Sequence, residues 1–173
     1  AGAIVLDGRD IAEYRTRSLR KRITPMTQET FLFRATLAEN IAFGDPGADR
    51  DRIEAAARLA GAHQFINELP EGYETLVGEG GATLSGGQRQ LVSLARAALR
   101  DTPVMIFDEP ASGLDVYTEG AAREALRTLR RDRTLIIITH HLSFVDLADH
   151  IIVLAEGQVV QSGAVDEVLR DGG

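Results

Sequence analysis

Two adjacent carboxylates, Asp108 and Glu109, come directly after the apolar run Val104–Phe107. Such a run is typical of a buried parallel strand, and open parallel sheets bind their ligands where the strands end. In that position one carboxylate can hold Mg²⁺, directly or through water, while the other orients an attacking water molecule. A solvated turn after a strand explains the two residues equally well when they are taken alone.

Residues 84–88, Leu-Ser-Gly-Gly-Gln, have the composition of an anion site at the start of a helix. The two glycines allow a close approach to the backbone, the first turn of a helix has free N–H groups, and Ser85 adds a hydroxyl. A plain N-cap followed by a glycine turn is the alternative, and it is favoured for Ser-Gly-Gly considered by itself.

Strands and helices alternate along the sequence, which predicts a parallel α/β sheet. Extended segments are predicted at residues 3–6, 23–28, 104–107 and 134–138, the last two as buried strands. Helices are predicted at residues 49–61, 88–100 and 118–131, where apolar residues recur at helical spacing. A hairpin around Glu156-Gly157 and a short helix at residues 163–170 complete the prediction.

The composition limits the classes of function. The chain has 173 residues and a net charge of −7, so it lacks the basic excess expected of a protein that binds nucleic acid. It contains no cysteine, which excludes disulfides and thiolate metal sites. No apolar run approaches the ~18 residues that span a bilayer, so a membrane-spanning part would lie outside these residues.

Taken together, the motifs resemble those of the ATPase domains of ABC transporters. Six ordered segments carry the resemblance, which runs from Gly2 to Val168. They are the Q-loop at Gln28, the exporter-type loop at residues 75–79, the signature at 84–88 with Arg89 and Gln90, the Walker B strand at 104–109, the D-loop at 112–115 and the H-loop at 138–140. Gly113 stands where exporter-type members usually have alanine, which weakens the exporter assignment but not the family assignment.

The resemblance implies a P-loop NTPase fold, with a RecA-like parallel sheet core and a helical signature subdomain at about residues 36–100. It also implies that residues 1–173 form a partial ATPase domain, incomplete at the N-terminus. The P-loop motif G-x-x-x-x-G-K-[ST] is absent, and the single lysine, Lys21, does not lie in such a motif. The strand at 134–138 would then lack a neighbour on one side.

ATP and Mg²⁺ are the ligands that the resemblance implies. Glu109 would be the catalytic base, Asp108 would help to hold Mg²⁺, and His140 would contact the γ-phosphate. Gln28 would touch the metal and the attacking water and would sense the membrane domain. If the strand continued, His141 would point away from His140, so a metal site formed by these two histidines is not expected.

The resemblance also implies two protein partners. The first is a second ABC ATPase domain, either a copy of this chain or a different one. Its nucleotide would be contacted by Ser85, Gly86, Gly87 and Gln88. Asp115 would bridge the two domains. The second partner is a transmembrane domain, contacted through Phe31, Leu32, Phe33 and Glu79, so that the chain would lie at the cytoplasmic face of the membrane.

Two other functions stay open at this point. The chain could be a non-hydrolysing module that only donates its signature loop to a partner, although such a donor does not need Glu109 and His140. It could also be a DNA-repair or chromosome-maintenance ATPase, which shares the signature and Walker B motifs. Those proteins insert a long coiled coil between the Q-loop and the signature, whereas residues 29–84 contain no heptads.

We expect the polypeptide of residues 1–173 on its own neither to bind ATP tightly nor to hydrolyse it. A P-loop supplies the backbone cradle and the lysine that make most contacts with the phosphates, and this sequence has neither. Nucleotide binding and phosphate release by the purified polypeptide measure this. Turnover above a protein-free blank that disappears in Glu109→Gln would contradict the expectation.

Overall fold

Strands and helices alternate in the first of the two units, Ala1–Ile138 and Thr139–Gly173, into which the chain divides. The computed structural model describes residues 2–171. The strands of the first unit are β1 (Val5–Leu6), β2 (Arg9–Asp10), β3 (Ile23–Met26), β4 (Val104–Asp108) and β5 (Thr134–Ile138). Its α-helices are α1 (Thr16–Arg20), α2 (Leu37–Ala42), α3 (Arg50–Leu59), α4 (His63–Glu68), α5 (Gly86–Arg100) and α6 (Val116–Leu129).

Three parallel strands form the main sheet, in the order β3-β4-β5. The middle strand β4 is apolar on both faces, and Met105 and Phe107 are fully buried. β5 pairs with β4 alone among the described residues, so it is the outer strand. The prediction that residues 134–138 form a buried strand is therefore wrong, since Ile136 is 45% and Ile138 is 51% exposed.

Helix α5 is the central helix of the first unit and contacts α2, α3, α6 and β3. Its buried face is aliphatic, and α3 places the small residues Ala56 and Ala57 in the core. Gly44, just after α2, lies so close to α5 that an added Cβ would be 2.2 Å from the carbonyl oxygen of Arg96. Only glycine fits at this position, because any side chain would push α2 away from α5.

Asn40 anchors the segment that leads from β3 into α2. This side chain is 1% exposed, and its Nδ2 donates to the carbonyls of Phe33 and Thr36 at 3.0 Å each. Its Oδ1 accepts the N–H of Phe33 at 2.9 Å and an N–H of the Arg96 guanidinium at 3.2 Å. One buried amide thus supplies hydrogen-bond partners to both the N–H and the carbonyl of Phe33 and ties this loop to α5.

The second unit contains an antiparallel hairpin of β6 (His150–Ala155) and β7 (Gln158–Ala164), followed by α7 (Val165–Asp171). The turn residues Glu156 and Gly157 have φ values of 50° and 75°, the left-handed pair that a tight two-residue hairpin turn requires. The predicted hairpin and terminal helix are confirmed. Over residues 2–171, none of the helices is both long enough and apolar enough to traverse a bilayer.

We expect Asn40→Ala to lower the free energy of unfolding by about 2–4 kcal/mol, since it removes the hydrogen bonds to the partly buried N–H and carbonyl of Phe33 and the link to Arg96. Urea denaturation measures this. Asn67→Ala is the matched control, because Asn67 is exposed on α4, and its cost should stay below about 0.5 kcal/mol. Equal effects of the two substitutions would show that the Asn40 network does not stabilise the fold.

Candidate functional site

The carboxyl ends of β3 and β4 bring three predicted site residues to one edge of the sheet. Met26 at the end of β3 lies opposite Phe107 of β4, and Gln28 follows two residues later. β4 ends at Asp108, which Glu109 follows directly. Asp108 and Glu109 are half-buried, whereas Gln28 is exposed in the bend after β3. Ligands of parallel sheets bind at this edge, as predicted for the Asp108-Glu109 pair, whereas Gln28 lies beyond β3 and not within the extended segment predicted at residues 23–28.

The backbone of Glu109 is in the left-handed conformation, with a φ of 50°. A residue with a Cβ adopts this conformation at a cost of about 1–3 kcal/mol, so the surrounding structure must hold it there. The Glu109 N–H donates to the carbonyl of Ile138 on β5 at 2.8 Å. The Glu109 carbonyl accepts the N–H of Ser112 at 3.0 Å, which closes a turn directly after the strand.

A buried glutamine, to which the sequence analysis assigned no role, contacts the same turn. Gln90 on α5 is 4% exposed, and its Nε2 donates to the carbonyls of Glu109 at 3.3 Å and Pro110 at 3.2 Å. Its Oε1 accepts the hydroxyl hydrogen of Thr30 at 2.6 Å. Two signals in the sequence pointed to it: Gln90 continues the match to the signature, and it is a polar residue four positions before Leu94, on the apolar face of the helix.

Helix α5 begins at the signature motif with a capping box. The Ser85 hydroxyl accepts the N–H of Gln88 at 3.2 Å, and the side-chain oxygen of Gln88 accepts the N–H of Ser85 at 2.9 Å. The helix starts at Gly86, two residues before the predicted Gln88. The N-cap that stood as the alternative is therefore present, while nucleotide binding by residues 85–88 stays a prediction.

Internal packing does not account for the two glycines of the signature. A Cβ added at the exposed Gly86 would meet no atom closer than 3.9 Å. One added at Gly87 would lie 3.5 Å from Leu114, an ordinary contact distance. Neither Gly86 nor Gly87 is among the described residues with a positive φ, so backbone conformation does not require glycine there.

The D-loop ends in the N-cap of helix α6. The Asp115 carboxylate accepts the N–H of Thr118 at 2.9 Å and its hydroxyl hydrogen at 3.0 Å. These two hydrogen bonds, the backbone one first, lower the pKa of Asp115 below its ordinary value. Asp115 therefore stabilises the start of α6, and its bridging of two subunits stays a prediction.

Three exposed aromatic rings cluster beside the Q-loop. The ring centroids of Phe31 and Phe33 are 5.3 Å apart, and those of Phe33 and Phe43 are 4.6 Å apart. The guanidinium of Arg96 lies 5.7 Å from the Phe33 centroid and 5.4 Å from the Phe43 centroid, and burial lowers its pKa. Arg96 also donates to the carbonyl of Phe31 at 3.0 Å, so α5 holds the cluster in place.

The structure corrects one residue of the predicted contact surface for a transmembrane domain. Leu32 is fully buried, because alternate side chains of this extended segment lie on opposite sides and Leu32 belongs to the core. Phe31, Phe33 and Glu79 are exposed, so they remain available to a partner.

The second unit begins at Thr139, and His140 follows as an exposed residue. The rings of His140 and His141 lie side by side, with centroids 4.4 Å apart. The expectation that they point to opposite faces assumed a continuing strand. β5 ends at Ile138, so strand alternation does not apply to them.

The donor set at the sheet edge fits Mg²⁺. Carboxylate and amide oxygens are the hard ligands that this ion takes from proteins. Asp108 offers the first kind and Gln28 the second, at the ends of neighbouring parallel strands.

The family model described as "ABC transporter" matches residues 1–112. This chain belongs to the ABC transporter family. The ATP-dependent lipid A-core flippase of Chromohalobacter salexigens is 45% identical over 172 residues, which cover 99% of this chain and 30% of the flippase. The ABC transporter B family member 3 of Dictyostelium discoideum is also 45% identical, over 99% of this chain and 12% of its own length.

A solved structure of a bacterial Atm1-family ABC exporter with ATP bound matches the whole of this ABC transporter chain with a TM-score of 0.95. The two are 40% identical, and the match covers 30% of the exporter chain. The predicted fold, that of an ABC ATPase domain with a P-loop NTPase core, is confirmed, as is the resemblance to exporters. The chain spans 30% or less of the length of these relatives.

We expect Asp115→Ala to lower the thermal midpoint at pH 7, while Asp115→Asn, which can still cap α6, lowers it less. Because folding lowers the Asp115 pKa, its stabilising effect is present above the ordinary value of about 3.9 and is lost as the pH falls through the folded value. The gap between the parent and Asp115→Asn should thus narrow in acid. Thermal melts from pH 7 to pH 3 test this, and a gap that widens in acid would contradict the capping assignment.

Proposed function

We propose that this chain is part of the ATP-hydrolysing domain of an ABC exporter and that it couples ATP hydrolysis to transport across a membrane. The observation that carries the proposal is the Asp108-Glu109 pair at the carboxyl end of the central strand β4, with Glu109 held in a strained turn. Asp7, Asp101 and Glu156 share this left-handed conformation, but Glu109 is the one of the four that directly follows the central strand β4, at the edge where parallel sheets bind ligands. The exporter direction is supported by the Atm1-family structure.

Each of the predicted catalytic and metal-binding residues has its own part in hydrolysis. Glu109 accepts a proton from the water that attacks the γ-phosphate, which is the role of a general base. Asp108 and Gln28 would hold Mg²⁺, and the bound ion would supply positive charge beside the phosphate oxygens. His140 donates a hydrogen bond to the γ-phosphate.

The signature segment serves a second nucleotide, bound by another ABC ATPase domain. Ser85 and Gly86 are exposed at the start of α5, a 15-residue helix whose N-terminus attracts anions. Since internal packing does not require the glycines, a close approach from outside the chain is the better reason for them. In this arrangement Gln88 supports the same contact and Asp115 bridges the two domains.

The aromatic cluster contacts the transmembrane part of the exporter, at the cytoplasmic face of the membrane. Phe31 is 58% and Phe43 is 59% exposed, and exposed rings of this kind mark an interaction surface. Phe33 and Glu79 complete the contact. The Q-loop residue Gln28 is three positions from Phe31, so the same segment joins the membrane contact to the hydrolytic site.

A chain that only donates its signature loop is the second candidate. Such a module needs Ser85 and the exposed helix start but not a general base. The backbone of Glu109 forms hydrogen bonds with Ile138, Ser112 and Gln90, which hold it in its left-handed conformation. A carboxylate held in this way beside Asp108 favours the hydrolytic function.

In the full-length protein that carries this chain, Glu109→Gln should bind ATP and lose turnover by about 10²–10⁴-fold, the usual contribution of a general base. It should also accumulate ATP-bound dimers, because the nucleotide is not consumed. Ser85→Arg added to Glu109→Gln should abolish those dimers, since a bulky side chain fills the anion site. Phosphate release and gel filtration with ATP measure the two effects.

Glu124→Gln is the matched control, because Glu124 is exposed on α6. It should hydrolyse ATP like the parent. Turnover of Glu109→Gln near the parent rate would remove Glu109 from its role and favour the donor module. Dimers that persist with Ser85→Arg would refute the proposed grip of the signature on a second nucleotide.

A further inference from the structure

Both the nitrogen and the oxygen of the Gln90 carboxamide form hydrogen bonds. Its Nε2 faces the carbonyls of Glu109 at 3.3 Å and Pro110 at 3.2 Å, and its Oε1 faces the hydroxyl of Thr30 at 2.6 Å. Carbonyl oxygens only accept hydrogen bonds, so the amide nitrogen must point at the turn and the amide oxygen at Thr30. The two ends of one side chain therefore join two separate loops.

Packing of α5 does not require a glutamine at this position. Gln90 shares the buried face of the helix with Leu94 and Ala97 and is itself 4% exposed. A leucine would fill the same buried position on that face. A buried carboxamide costs free energy unless its polar atoms form hydrogen bonds. The three partners that Gln90 finds are the reason for its presence.

Gln90 is one of three residues whose hydrogen bonds hold the backbone of the proposed general base. The N–H of Glu109 is held by the carbonyl of Ile138, and the carbonyl of Glu109 is held by Gln90 and by the N–H of Ser112. The peptide groups on both sides of the Glu109 Cα are thus restrained at a φ of 50°. Restraining both peptide groups sets the direction of the Cα–Cβ bond, from which the carboxylate extends.

Thr30 connects this restraint to the Q-loop. Thr30 is two positions after Gln28 and one before Phe31, in the segment between the sheet edge and the aromatic cluster. We infer that Gln90 is a positioning residue for Glu109 and that Thr30 makes this positioning depend on residues 27–33. A displacement of that segment changes the Thr30–Gln90 hydrogen bond and, through the carboxamide, the Glu109 turn. The inference rests on the proposed hydrolytic function.

The test measures ATP turnover of full-length variants as a function of ATP concentration. Gln90→Leu should lower kcat about 10- to 100-fold and leave the ATP KM within about threefold, because a misplaced base slows the chemical step without loosening the nucleotide. Thr30→Val should lower kcat about 3- to 10-fold, since Gln90 then loses only its second anchor. Thr30→Ser keeps the hydroxyl and should restore the rate.

Two controls separate positioning from a general loss of structure. Gln64→Leu makes the same change at an exposed site on α4 and should turn over ATP like the parent. In the Glu109→Gln background, Gln90→Leu should cause no further fall in the residual turnover and should leave the ATP-bound dimer intact. A residue that acts through Glu109 has no effect once that carboxylate is gone.

Parent-like kcat in Gln90→Leu would overturn the inference. So would loss of the ATP-bound dimer, or a further fall in residual turnover, when Gln90→Leu is added to Glu109→Gln. Turnover of Glu109→Gln itself near the parent rate would overturn the proposed function and this inference with it. The two failures are therefore distinguished by the Glu109→Gln single variant.

Discussion

The parallel register of β3, β4 and β5 is the constraint on which the candidate site depends. Met26 lies opposite Phe107, and Asp108 lies opposite Ile138, so the three strands end at nearly the same level. Their following loops consequently meet at one edge of the sheet. A slip of one residue would move a strand by about 3.3 Å and exchange its two faces, which would separate the Q-loop from the carboxylates.

Helix α5 links this edge to the two surfaces for which contacts with other molecules are proposed. Its 15 residues extend about 22 Å at a rise of about 1.5 Å per residue. The helix carries Ser85 at its exposed start, Gln90 beside the Glu109 turn and Arg96 next to the aromatic rings. A packed helix moves as one body, so a displacement at any of these places is transmitted to the others more readily than through a loop.

Most elements could be predicted from the sequence because their signals are local. Each of these signals lies within the element that it predicts. Examples are Asp49 and the alanine face for α3, Gly86-Gly87 for the start of α5, and Glu156-Gly157 for the hairpin turn. The short elements β2, α1, α2 and α4 were not predicted. The other errors concern which side chains are buried and where they point. Residues 135–138 are all apolar, yet Thr134, Ile136 and Ile138 are exposed, because alternate side chains of a strand lie on the same face and this face of β5 is open among the described residues. Leu32 lies between two exposed phenylalanines and is nevertheless in the core.

The sequence by itself determined the family, the order of the motifs and the chemistry available at each, since residue types and spacings suffice for these. It also predicted the Asp108-Glu109 pair as the place of that chemistry, and this role stays a prediction. Only the tertiary structure decided how Glu109 is held. Its left-handed backbone and the Thr30–Gln90 hydrogen bond depend on residues far apart in the chain, 60 positions in the second case. Local periodicity carries no information about such pairs, because they become neighbours only when strand and helix pack together.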